Sequence, residues 1–503
     1  MYCWISNGEY QSRHVVVYLF VGVEMKRKLA QGALIALIVS LLSGCIARVD
    51  ADQTLKTDEL QETPVQEAAY FSGPCDTDPN LEQEWLAYQE IFSSRNICTG
   101  PYRLVPAVMP DALPTSTISP KSDLRNYKEC RIVNDPNTEY VRSFANGNQG
   151  WLNEDLHPSP NTIYQVVPIF SSDAPHTSDK SPLEEYGKYF DFITTWTEYV
   201  SDGESNVEFR VPEEYLEFPE EIKKFEVGHK NWNDPGHQAF AKVLSEVIKG
   251  KIDINSADIV IIVVPSGTDL SVVEQGPVPI QQNGRQHRNS TILSPALTAE
   301  NADSRFNLWF SHPMGVLHEL YHIGPGLEDH HGDWDFDTYD APPGKHLGTG
   351  QWGLMSSGIS DLLGWEKWFL GFTLNKQVRC APATSTTTHW LAPSNVKTDS
   401  PKLLVIPIGK YEALVVESIR AKGLNYKMPM QSEGALVYHL NTSDPRRNYA
   451  YEVLGPAGRP LSTEPFRLYD WTLKSGESLK FKGIKIEVVE SGEFGDVISV
   501  SKP

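Results

Sequence analysis

From about residue 162 the chain alternates between two hydrophobic periods. Residues 163–170 form a short β-rich apolar run, as a buried strand would. Over residues 183–200, Tyr186, Tyr189, Phe190, Ile193 and Trp196 recur at helical spacing. Residues 207–211 alternate like a strand, and residues 238–248 set Phe240, Val243, Leu244 and Val247 on one helical face. Residues 257–265, Ala-Asp-Ile-Val-Ile-Ile-Val-Val-Pro, are the most strand-like segment of the chain. Strands alternating with helices predict an α/β (α+β) region. Beyond about Ala383 the helical period disappears. Residues 403–408, 413–417, 435–439, 478–481, 484–489 and 497–500 read as short strands separated by Gly, Asn and Pro, which predicts an all-β sandwich over 384–503.

Composition narrows the class. With 503 residues, 40% hydrophobic and 22% charged, the chain is globular and long enough for about three domains. Its 44 Lys+Arg against 65 Asp+Glu give a net charge of −21, so no basic stripe for a nucleic-acid partner is expected.

The N-terminal segment reads as an address. Met25-Lys26-Arg27-Lys28 is a basic start, and the apolar run over 32–42 is too short to span a bilayer comfortably as a helix. Leu42-Ser43-Gly44-Cys45 resembles the lipobox of bacterial lipoproteins, in which cleavage precedes an acylated Cys. Residues 1–44 are thus expected to be a signal peptide starting at Met25. Cys45 would be lipidated, and a polar, acidic tether would run to residue 74. Ile46, rather than Asp, after the Cys points to the outer membrane of a cell envelope, with the lipid bilayer as a partner. Residues 75–155, with one expected helix over 81–93 and a Pro/Ser-rich stretch over 106–122, read as a small subdomain or a pro-segment. Export favours disulfides among Cys75, Cys98, Cys130 and Cys380, for which three pairings exist. One of these joins Cys75 to Cys98 and Cys130 to Cys380.

The chemistry concentrates in one segment. Ser311-His312-Pro313 reads as a helix start and Gly324-Pro325-Gly326 as a stop. Between them stands His318-Glu319-Leu320-Tyr321-His322, an HExxH motif. Residues four apart share a helix face, so both imidazoles can reach one Zn²⁺, with Glu319 offset toward a water. A chance HExxH need not fall on a capped apolar helix. A catalytic zinc takes a third protein ligand, and Glu328, Asp329, His330, His331 and Asp333 follow the turn. The long metzincin spacing places Gly and then a ligand six residues past the second His. Gly326 falls one place late, so Asp329 stands where that spacing points, with His330 and Glu328 as alternatives.

These residues, together with Gly326-Leu327-Glu328-Asp329, Trp352-Gly-Leu-Met355-Ser-Ser-Gly358 and Trp365-Glu-Lys-Trp-Phe-Leu-Gly371, resemble the immune inhibitor A family of secreted bacterial metallopeptidases. The likeness runs from about residue 162 to 500. It implies a zincin-type catalytic domain over 156–383 and a zinc metalloendopeptidase acting on protein or peptide substrates. His318 and His322 match the family's zinc ligands, Glu319 its catalytic base, Asp329 the acid of the turn and Met355 the methionine beneath the metal. The chain departs from the pattern in the Pro325-Gly326 insertion and in Glu328, where Pro is usual. Both departures touch the third ligand.

Weaker signals surround the motif. Asp333, Asp335 and Asp337 alternate as in a Ca²⁺ loop, but Thr338 stands where an EF-hand needs Gly and no Glu closes it, so a solvated turn is the preferred reading. Tyr339 is near enough in sequence to support an oxyanion. His439, Glu417 and Arg420 are expected on strands in structural roles, and His237, His287 and His346 at the surface. The rival reading is a surface-binding lipoprotein on a peptidase fold that has lost activity. An intact Glu319 argues against it.

Overall fold

A computed structural model describes residues 109–138, 161–228, 233–287, 289–295, 313–324, 326–333, 346–350, 352–356, 361–421, 423–425, 430–446, 449–460 and 468–502. The address segment, the tether, the 81–93 helix, Cys75 and Cys98 lie outside these residues.

The first sheet grows from two apolar strands, β1 (Asn161–Phe170) and β4 (Ile259–Val263), which pair in parallel. With β2 (Asn206–Arg210), β8 (Ser290–Ile292) and β5 (Gly276–Pro277) the order is β2-β1-β4-β8-β5, all parallel except the β5 edge. The short β3 (Leu216–Glu217) adds in parallel to the end of β1, while β6 (Gln281–Gln282) and β7 (Arg285–Gln286) form a separate two-stranded hairpin. All five residues of β4 are buried, which explains why it reads as a continuous apolar run rather than an alternation. Ile259, Ile261 and Val263 enter one core, Val260 and Ile262 the other.

Each face is covered by a helix. Helix α1 (Pro182–Val200) begins in a capping box between Ser181 and Glu184 with Pro at its first position, and buries Tyr186, Phe190, Ile193 and Trp196 on the first face. Helix α2 (Pro235–Ile248), capped by Asp234, buries Phe240, Ala241, Leu244 and Ile248 on the second. His237 belongs to this same stripe, so the surface position expected for it is wrong. It is fully buried; Nδ1 contacts the Pro277 carbonyl at 2.7 Å and Nε2 accepts from the Gly228 N–H at 3.1 Å. His287 and His346 are half-buried. His287 Nε2 contacts the Ala257 carbonyl at 2.9 Å, and the His346 ring stacks on Tyr449.

Two further helices follow: α3 (Pro313–Ile323), on the first face, and α4 (Gly364–Phe369), all of whose residues are buried. The C-terminal part is two largely antiparallel sheets. One orders β14 (Tyr451–Val453), β13 (Gly434–Asn441), β12 (Glu412–Ile419), β11 (Leu403–Pro407) and β9 (Val378–Cys380), with only the β9–β11 pair parallel. The other orders β10 (Thr387–Leu391), β17 (Gly495–Ser501), β16 (Ile484–Gly492) and β15 (Ser478–Phe481). One apolar cluster takes Leu404, Val416 and Val437 from the first sheet and Ile486, Ile498 and Val500 from the second. The short β9, β10 and β14 have too few apolar residues to stand out in sequence.

Residues 109–138 lie along these C-terminal sheets. Ser119 pairs its backbone with Thr388, Thr115 and Ser116 donate to the Glu490 carboxylate, and Cys130 and Ile132 enter the cluster beneath α4 and β11–β13. Cys130 is bonded to Cys380 across 250 residues, one of the pairings the sequence allowed. A cross-link closing so long a loop removes much unfolded-state entropy. Cys130→Ser with Cys380→Ser should therefore cost about 2–5 kcal/mol in urea unfolding. Non-reducing peptide mapping should recover the 130–380 pair.

Candidate metal centre

Helix α3 turns its apolar side inward: Val316, Leu317 and Leu320 are buried against the first face of the sheet, and Tyr321 meets Trp196 of α1 edge-on at 5.7 Å. His318 and His322 then fall one turn apart on another side. The helix ends with the Gly324 N–H on the Leu320 carbonyl and the Leu327 N–H on that of Tyr321. Gly326, at φ +76°, takes the left-handed conformation that lets the chain reverse at once, so Asp329 returns beneath the two histidines.

Three atoms converge there. His318 Nε2 and His322 Nε2 are 3.1 Å apart, and Asp329 Oδ1 lies 3.2 Å from each. His318 Nδ1 contacts the Leu354 carbonyl at 2.8 Å and His322 Nδ1 the Leu327 carbonyl at 2.6 Å. Carbonyls only accept, so each ring in its neutral form carries its proton on Nδ1 and presents an Nε2 lone pair to the other ring. Asp329 Oδ1 is buried and receives no hydrogen bond among the described residues. Three facing acceptors repel unless a cation lies among them. Ligands 2.0–2.1 Å from a tetrahedral zinc stand about 3.3 Å apart, so the donor types and their spacing fit such an ion. Among the described residues this is the one group of three metal-ligating side chains in reach of one another.

The electrostatics agree. Burial alone would favour neutral His322, but the Asp329 carboxylate beside it, with Glu319 also acting, pushes it up to about 9. Burial would raise Asp329, yet the two imidazoles hold its carboxyl well below the usual carboxylate range. His322 therefore holds a proton beside the ionised Asp329 at neutral pH, a proton that a bound metal would displace.

The supporting turn is residues 352–356. Leu354 supplies the carbonyl under His318, and Met355 is fully buried in the same cluster as Leu317 and Leu320. Glu319 is half-buried on α3. His330, the alternative ligand, points the other way. Its ring is fully buried, with Nε2 2.8 Å from Glu366 Oε1 and its face on Tyr451 at 3.9 Å. Glu328 is buried but outside the converging group. His331 places Nε2 3.9 Å from Asp329 Oδ2, the carboxylate's other oxygen. Gly348 makes room for the loop, since a Cβ there would lie 2.0 Å from the His330 carbonyl oxygen.

Glu366 and the two backbone carbonyls escaped the sequence reading. Glu366 stood in view only as part of the Trp-Glu-Lys-Trp likeness, and carbonyls leave no signal in residue types. Asp333 accepts from the Tyr449 hydroxyl, while Asp335, Asp337 and Tyr339 lie outside the described residues. Glu417 and His439 lie on β12 and β13 as expected, whereas Arg420 falls just past the end of β12. Glu417 accepts the Gly364 N–H at 2.8 Å, Arg420 pairs with buried Asp496, and the His439 ring packs on Phe481. No protein-family model matches the chain, and no curated protein matches it significantly.

If Asp329 is the third ligand, Asp329→Ala should lose most bound zinc by elemental analysis, while Glu328→Ala keeps one equivalent. Full occupancy in Asp329→Ala would move the site elsewhere.

Proposed function

We propose that the protein is a zinc-dependent metalloendopeptidase of the immune inhibitor A-like kind, held at the cell envelope by lipidated Cys45. The reading pairs a zincin-type catalytic region with a C-terminal β-sandwich. The observation that carries it is the convergence of His318, His322 and Asp329 with their lone pairs facing, beside the Glu of an HExxH helix.

His318, His322 and Asp329 would hold the ion, three protein ligands leaving a fourth position open as a catalytic zinc requires. Bound zinc supplies Lewis acidity, polarising a peptide carbonyl and making water nucleophilic near neutral pH. Glu319, next to His318 in the chain, takes the proton of the attacking water and delivers it to the departing amine. Substrates are proteins or peptides.

Glu319→Gln should keep its zinc but lose about 10²–10⁴-fold in casein cleavage, because the base is removed and the ligands are not. Cleavage at the wild-type rate would end the mechanism. Separately, Cys45→Ser should move the protein from membrane to soluble fractions, since stable attachment needs the several chains of a lipoprotein. Unchanged partitioning would remove the anchor.

A further inference from the structure

Asp329 is the only ligand not on a helix, so something must fix the loop that carries it. We propose that His330 and Glu366 form a positioning pair that sets the Asp329 carboxylate on the metal. The proposal rests on the zinc-site reading above.

His330 is held from every side. Its N–H donates to the Met355 carbonyl at 2.9 Å, and its carbonyl accepts the Thr349 N–H at 2.8 Å. Its ring lies on Tyr451 of β14, and Glu366 Oε1 is the ring's only hydrogen-bond partner among the described residues. Glu366 is fully buried, and its second oxygen accepts the Leu363 N–H at 2.9 Å, the first backbone donor of α4. The adjacent donors are occupied as well, Gly364 by Glu417 and Trp365 by the Tyr438 hydroxyl at 3.0 Å. Glu366 therefore cannot shift to another partner without stranding a buried N–H.

The consequence is directional. The His330 ring points away from the ion, and the residue before it points its carboxylate toward the ion. Anchoring the ring to α4 and β14 thus fixes the backbone from which the short Asp329 side chain starts. Two oxygens must both accept, one from Leu363 and one from His330. Gln at 366 keeps one acceptor for Leu363 and turns an amide N–H to His330, which can accept it only by moving its proton to Nδ1, where no partner stands among the described residues. Partners that orient a ligand in this way typically matter 10–100-fold in metal affinity.

The test is zinc affinity by chelator competition in the full chain. It is joined to the visible spectrum of the cobalt-substituted protein, which reports ligand geometry rather than stability. Glu366→Gln and His330→Phe, which keeps the ring on Tyr451, should each weaken zinc 10–100-fold and alter the cobalt spectrum. The double variant should fall no further than the worse single, because the two act as one unit. Should His330→Phe fail to fold, Glu366→Gln alone carries the test, as it keeps volume and one acceptor. Wild-type affinity and spectrum in the variants, with only a lower Tm, would overturn the positioning role and leave the zinc site standing. Wild-type protein that binds no metal would remove the zinc reading itself, and this pair with it.

Discussion

Three acceptor atoms facing one another inside a protein repel, and the surrounding structure is arranged to hold them there. His318, His322 and Asp329 meet within 3.2 Å because both rings are held with Nε2 turned inward. Each Nδ1–H is already given to a carbonyl, Leu354 for one and Leu327 for the other. Those carbonyls belong to different turns, so the site exists only when both turns are docked against α3. A single helix could supply two histidines but not their tautomers, nor the carboxylate that faces them.

Docking of those turns depends on the C-terminal sheets. Trp352 and Leu363 bury with Val405, Val415 and Tyr438 in one cluster, while Leu354, Met355 and Leu362 bury with the helices of the first sheet. Residues 352–356 and 361–370 therefore bridge two cores. Buried charges fasten the same seam: Lys367 pairs with Asp361, and Lys402 on the C-terminal side pairs with Asp202 after α1. Such pairs add little net stability against apolar replacements, but breaking one leaves a buried charge alone, so they specify one docked arrangement. The C-terminal region is in this sense part of the site, although it supplies none of the three converging atoms.

Helix α4 shows the same economy at small scale. It has six residues and all are buried, a length at which helix formation has no stability of its own. Its first backbone donors are met by Glu366, Glu417 and Tyr438, from the helix itself and two strands. A buried network that meets each of these backbone donors rigidifies what it touches. What it touches is His330.

By itself, the sequence determined whatever depends on neighbours along the chain. The capped helix at Ser181, the apolar runs of β1 and β4 and the long C-terminal strands follow from local period and caps. So does the placing of His318 and His322 on one helix face. Even Asp329 was legible, because a Gly-terminated helix followed by a short acid leaves few places for the chain to go. His237 was legible in hindsight, since it repeats with Ala241, Leu244 and Ile248 on the buried stripe of α2. Tertiary structure decided whatever depends on residues far apart. The aim of His330 away from the three converging atoms was set by Glu366, 36 positions later, and by Tyr451. The joining of residues 109–138 to the C-terminal sheets was set by Cys380 and Glu490, hundreds of positions on. The protons on two imidazoles were set by backbone carbonyls, which every residue carries alike. Periodicity reports which way a side chain faces, and only packing reports what it meets.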